Sequence, residues 1–208
     1  MWNENRSSAA VAGTGVLFES PLVGAQALLD ASQAQQSKRF RLRERPFLEL
    51  VNVRGEAGDG AFIAAVESVI GARLPAQPNT VVQGGEYDAL WLGPDEWLVR
   101  SNEARKPELE GKLRTALGAL FASVVDVGSG YTVLEASGER VRDVISRGCP
   151  LDLHPKLLRR GQCVQSHYFK ASIVLVPTAD DAFDIIVRRS FADYFCRIML
   201  DAAAPIVS

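Results

Sequence analysis

Apolar and polar positions switch between two periods along most of the chain. Phe47-Leu48-Glu49-Leu50-Val51-Asn52-Val53 reads as a strand ending at Gly55. A helical period follows, with Phe62, Val66, Val69 and Ile70 on one face, Asp59 placed to cap it and Gly71 to stop it. A proline-containing loop, Pro75 to Asn79, leads to Leu90-Trp91-Leu92 and Trp97-Leu98-Val99. These flank Gly93-Pro94-Asp95-Glu96, a turn in which proline presets φ, so they predict a hairpin. Pro107 sits where a first-turn proline is tolerated, and Leu109, Leu113, Leu117 and Leu120 trace the next helix.

The second half repeats this order. An apolar stretch from Val124 to Leu134 contains Gly128-Ser129-Gly130, read as a bulge or kink in a long strand. Val141, Val144 and Ile145 mark a short helix closed by Gly148. Strands follow at Gln162–Phe169, Ser172–Val176 and Phe183–Val187. Ser190 and Asp193 have capping-box spacing, and Phe191, Tyr194, Phe195, Ile198 and Met199 form a helical stripe. Strand, helix, two strands, helix thus occurs twice. The fold class expected is α+β, built from two ferredoxin-like βαββα units over residues 46–125 and 126–208 that form one module. Residues 1–45 hold Ser, Ala, Gly and Gln tracts and one helical piece, Val23 to Leu29, and read as an extended N-terminal arm.

Composition narrows the function classes. The 208 residues are 47% hydrophobic with a net charge of −2, which excludes disordered and low-complexity classes and gives no field to hold nucleic acid. No apolar run approaches the roughly 20 residues of a membrane span. Met1 to Arg6 are polar, unlike a signal peptide, and three cysteines make no disulfide framework. The expectation is a soluble, cytoplasmic protein.

Candidate chemistry is sparse. Gly13-Thr14-Gly15 and Gly128-Ser129-Gly130 lack the third glycine of a dinucleotide fingerprint. Cys149, His154, Cys163 and His167 resemble a zinc set, but Cys163 and His167 on one strand stand roughly 13 Å apart at about 3.3 Å per residue, too far for one metal. Neither histidine sits in a nucleophile motif. Asp95-Glu96 and Asp180-Asp181 occupy turn tips. No catalytic, cofactor-binding or metal-ligating residue is therefore assigned. Two features point to partner contact instead. Arg39, Arg41, Arg43 and Arg45 alternate with Phe40 and Leu42, giving an extended segment a basic face and an apolar face for an acidic partner. The loop from Cys149 to Pro155 carries Leu151, Leu153 and His154 and is expected to be structural or to form an interface.

Three motifs in order, Leu90-Trp91-Leu92-Gly93-Pro94-Asp95-Glu96-Trp97-Leu98, Gly148-Cys149-Pro150-Leu151-Asp152-Leu153-His154-Pro155 and Val187-Arg188-Arg189-Ser190-Phe191-Ala192-Asp193-Tyr194, resemble the gamma subunits of heterotetrameric sarcosine oxidases. The resemblance runs from about Leu22 to the C-terminus. It implies a relation to the folate-binding T-protein of the glycine cleavage system and a fold of that kind. It also implies a non-catalytic subunit with alpha, beta and delta partners, which would hold FAD, FMN, NAD, zinc and tetrahydrofolate while this chain holds none. The assembly it implies converts sarcosine to glycine and a one-carbon unit. Two other readings stand beside it: the equivalent subunit of an N-methylglutamate dehydrogenase, and an autonomous folate-dependent aminomethyltransferase-like enzyme. T-proteins place a functional aspartate before the Trp91-type strand, where only Asp88 corresponds. Their Tyr-Thr-Gly-Glu turn is replaced here by Pro177-Thr178-Ala179-Asp180-Asp181.

Overall fold

The computed structural model describes residues 18–34 and 38–207. It contains two five-stranded sheets, antiparallel at every pairing. The first is built from β2 (Leu48–Gly55), β3 (Val81–Gly84), β4 (Tyr87–Gly93), β5 (Glu96–Ala104) and β6 (Ala122–Asp126), in the order β3-β4-β5-β2-β6. Its helices are α2 (Gly60–Ile70) and α3 (Leu109–Leu117). The second comprises β1 (Arg41–Arg45), β7 (Tyr131–Ser137), β8 (Val164–Tyr168), β9 (Ala171–Ala179) and β10 (Ala182–Arg188), in the order β1-β7-β10-β9-β8. α1 (Gln26–Ala34), α4 (Val141–Ser146) and α5 (Ala192–Val207) belong to this unit.

The two orders are the same once the second is reversed. In each unit the strand before the first helix lies between the last hairpin strand and an edge strand. That edge strand is β6 in the first unit, directly after α3. In the second it is β1, which comes from the other end of the sequence. The described part of the expected arm is therefore built into the second unit. Leu22, Ala25 and Leu29 are buried in its core, and β1 pairs with β7 from Arg41↔Ser137 to Arg45↔Val133. Residues 1–17 and 35–37 of the arm lie outside the described residues.

Strand alternation assigns the two faces of each sheet. On β2, Val51 and Val53 pack under α2 and α3 with Phe62, Val66, Trp97 and Leu113, while Leu48 and Leu50 face the other sheet. There they meet Leu90, Leu98, Val133, Val176 and Ile186, so the sheets join through their inner faces. The second unit buries Leu134, Phe183, Ile185 and Val187 beneath Val144, Phe195 and Met199.

Local signals held where the chain's own chemistry fixed the geometry. Asp59 accepts hydrogen bonds from the amides of Ala61 and Phe62, and Gly71, at φ 76°, ends α2 in the left-handed conformation. Other expectations are corrected. Val124 to Leu134 is two strands in different sheets, joined by a 3-10 turn at Gly128–Gly130. Pro107 lies before α3 rather than in it, and Ser190 sits inside a 3-10 turn that opens α5. The buried stripe of α5 is Ala192, Phe195, Cys196, Met199 and Ala203, leaving Phe191 and Tyr194 to pack edge-to-face outside it. At the crossing from β1 to β2, Phe47 takes φ 61°, with its ring edge-on to Phe18.

Candidate functional site at the seam between the sheets

Charged side chains interrupt the apolar inner faces at one seam. Asp88 on β4, Arg100 on β5 and Asp184 on β10 are 3%, 4% and 0% exposed. The same alternation that turns Leu90, Leu98 and Ile186 inward turns these three inward as well. Arg100 donates from Nη1 to Asp184 Oδ2 at 2.7 Å, and from Nε and Nη2 to Asp88 Oδ2 at 3.3 and 3.1 Å. Arg45, at the end of β1, donates from Nη1 to the same Asp184 oxygen at 2.6 Å and from Nη2 to the carbonyl of Asn102. Two cations and two anions thus neutralise one another across four strands and both sheets.

Burying such groups costs several kcal/mol per ion, so the network contributes little net stability over apolar packing. Removing one member is different, because it strands the others without a partner. The seam therefore fixes how the sheets register more than how tightly they adhere. Sequence reading missed Arg100 and Asp184. The available signal was a charge set inside an apolar strand run, as in Trp97-Leu98-Val99-Arg100 and Phe183-Asp184-Ile185.

Beside the seam lies a cavity of about 400 Å³ between β3, β4 and β9, with Gln83, Asp88, Arg100, Arg160, Val176 and Thr178 in its lining. Asp88 Oδ1 is buried and has no hydrogen-bond partner. Asp88 is the one position at which the T-protein resemblance leads one to expect a functional aspartate; its other oxygen is held by Arg100.

The residues expected at a partner interface separate into two groups. Phe40 and Leu42 are 4% and 0% exposed and lie in the chain's own second core, as does Leu153. The apolar half of the expected docking face is thereby corrected, since strand pairing with β7 turns Phe40 and Leu42 under the helices. Leu151 is half-buried against the same core. Arg39, Arg41, Arg43 and His154 remain exposed. Arg43 forms a two-pronged pair with Glu135 at 2.8 and 2.7 Å. The loop after Cys149 is held from below by Arg142, which donates to the carbonyls of Leu153 and Leu158 and lies 4.8 Å from the centre of the Phe183 ring.

Cys149 and Cys163 do not converge. Cys149 Sγ approaches Ser166 Oγ at 3.6 Å, whereas Cys163 Sγ faces the carbonyls of Thr80 and Trp91. Burial pushes the Cys163 and Cys196 thiols up to about 11, so both stay protonated and unreactive near neutrality. Among the described residues, no three His, Cys, Asp or Glu side chains gather to hold a metal ion.

Comparison with known proteins agrees with this architecture. A family profile described as "Sarcosine oxidase, gamma subunit family" matches residues 54–205. The sarcosine oxidase subunit gamma of Corynebacterium sp. strain P-1 is 33% identical over 178 residues, 85% of this chain and 86% of that one. The Arthrobacter sp. subunit gamma is 32% identical over 168 residues, 80% and 81% of the two chains. A chain of the heterotetrameric sarcosine oxidase from Corynebacterium sp. U-96, solved with pyrrole 2-carboxylate, superposes with a TM-score of 0.83 at 27% identity, covering 92% of this chain and 97% of that chain. The glycine cleavage system aminomethyltransferase T of Bartonella henselae shares the fold at 12% identity and a TM-score of 0.60, over 83% of this chain and 48% of its own. On this profile, these identities and the shared double-sheet fold, the chain belongs to the sarcosine oxidase gamma subunit family.

Proposed function

We propose that this chain is the non-catalytic gamma subunit of a heterotetrameric sarcosine oxidase and acts in assembly. The complex oxidatively demethylates sarcosine to glycine. Its alpha, beta and delta subunits hold FAD, FMN, NAD, zinc and tetrahydrofolate, and the assembly works in the cytoplasm. The observation that carries this reading is the superposition over 92% of the chain on a subunit of such a complex. The seam supports it: its charges bind one another, and Asp88 is engaged with Arg100 rather than poised beside a nucleophile or base. No helix among the described residues is long and apolar enough to cross a membrane.

Co-expression tests this directly. The other three subunits are produced with and without this chain, and the yield of assembled, flavin-containing complex is measured alongside turnover per flavin. The reading expects the yield to collapse without the chain, while the complex that does form turns over at an unchanged rate. Full yield of assembled complex without the chain would overturn it.

A further inference from the structure

We propose that Phe169, Phe191 and Tyr194 form the anchor by which this chain docks onto a different polypeptide, one that meets them with apolar side chains rimmed by carboxylates. The inference rests on the assembly reading and adds which face is used. Phe169 is the first of the two residues that turn β8 into β9, with Tyr168 and Ala171 paired across them. Its φ is 48°. Glycine is the favoured residue at such a place, because any side chain crowds its own backbone at positive φ. The ring does not fill the core either, since Phe169 is 43% exposed. It is nevertheless held firmly. Its amide donates to the Gly148 carbonyl at 2.9 Å, and its ring stands edge-on to the buried Tyr168 at 5.1 Å. It also lies so close over Gly148 that a Cβ there would fall 2.5 Å from the ring. A strained, fixed and exposed aromatic ring points to a contact outside the chain.

The aromatic surface continues onto α5. Tyr168 packs against Phe195 at 5.4 Å, next in sequence to Tyr194, and the Tyr194 ring meets Phe191 edge-on at 6.3 Å. Phe191 and Tyr194 are exposed to much the same degree as Phe169. Charge then selects the occupant. Lys170 adjoins Phe169 in the turn, and Arg147 lies near enough to the Tyr168 hydroxyl to act on its charge. Both cations are exposed and form no salt bridge among the described residues. Asp193, the acid in the first turn of α5, is already paired with Arg197 at 2.8 Å. An aromatic centre with an unmatched basic rim calls for a protein surface that brings carboxylates to that rim. A second copy fits badly, because a symmetric contact would bring two basic rims together. The chain's own residues 1–17 hold one Glu and one Arg, and so no surplus of anion.

Competition for a place in the complex tests this. The original chain and a variant, with tags of different mass, are produced in equal amounts with the other three subunits, and their shares in the assembled complex are measured by mass spectrometry. Phe169→Gly is the sharpest variant, because it removes the ring while relaxing the turn, so the isolated chain stays folded by circular dichroism. Phe191→Ser is the second. Each is expected to enter at about one tenth of the original's share or less. Lys170→Glu is expected to enter at about one fifth or less, and Lys170→Arg at an equal share. Hydroxyl-radical labelling of Phe169 and Tyr194, strong in the isolated chain, is expected to fall on assembly. Equal shares for both aromatic variants would overturn the proposal. A dimer of the original chain that Phe169→Gly makes monomeric would also overturn it, assigning the patch to a second copy. So would labelling of the isolated chain that rises when residues 2–17 are deleted, which assigns the patch to the chain's own N-terminus. An original chain that never enters a complex defeats the assembly reading, and this inference with it. One that enters together with an equal share of the variants defeats this inference alone.

Discussion

Arg100 of the first sheet and Asp184 of the second meet at 2.7 Å, and neither is more than 4% exposed. Arg45, from the strand nearest the N-terminus, meets the same carboxylate oxygen at 2.6 Å. One carboxylate therefore joins the first unit, the second unit and the strand that completes the second sheet.

Replacing Asp184 by Asn keeps its shape and removes its charge, leaving the buried guanidinium of Arg100 and the half-buried one of Arg45 short of an anion. The expected loss is about 3–5 kcal/mol in denaturant unfolding. Asp95→Asn is the contrast, because the Asp95–Arg54 pair at 3.0 Å is more than half exposed on both sides. Its loss is expected to stay within about 1 kcal/mol. Similar small effects at both positions would show that the seam does not join the units.

The strand β1 separates packing from surface charge within three residues. Leu42→Ala is expected to cost about 2–5 kcal/mol because the side chain is fully buried. Arg41→Glu, on the exposed side, is expected to change stability by no more than about 0.5 kcal/mol. If the basic rim guides docking, Glu at both Arg39 and Arg41 slows association with the partner subunits most at low salt, where screening is weakest. Association at the original rate in low salt would leave these arginines as solvated edge charges.

Much of the fold was legible because local chemistry and period agreed. Asp59 and Gly71 bounded α2, the Pro94-Asp95 turn set the β4–β5 hairpin, and period two marked β2, β9 and β10. What failed was non-local. Nothing near Arg41 says that its strand pairs with β7, where Arg41 lies in register with the distant Ser137. Nor does Gly128-Ser129-Gly130 say that the chain leaves one sheet for the other there. The seam was hidden for the same reason. Asp88, Arg100 and Asp184 each resemble a stray charge in an apolar run, and only the facing of the two sheets makes them one network.

The buried thiols give a pH dependence with a definite sign. Burial holds Cys163 and Cys196 at about 11, above the 9.0 of a free thiol. Between those values the unfolded chain releases protons that the folded chain retains, so stability falls as pH rises. The contribution is complete below pH 9 and gone above about 11. Unfolding curves over this range are expected to show that decline, with a shallower slope in Cys163→Ala and Cys196→Ala. An unchanged slope in both variants would mean that other groups set the alkaline limit.

Arg142 is expected to act as the tie beneath the loop that follows Cys149. Arg142→Leu retains bulk over Phe183 but removes the donors to Leu153 and Leu158. Amide hydrogen exchange at Leu157 and Leu158, whose amides bond to the His154 carbonyl, is then faster while the sheet amides keep their protection. Unchanged exchange in the loop would show that its own turn suffices.

The central claim is that this chain works as one subunit of a four-subunit sarcosine oxidase. Native mass spectrometry of the complex captured through an affinity tag on this chain, read together with its flavin absorbance, tests that most directly. The account predicts one mass equal to this chain plus three different partner subunits, carrying flavin and oxidising sarcosine. Recovery of the chain alone, or of copies of itself only, from cells producing all four subunits would contradict it.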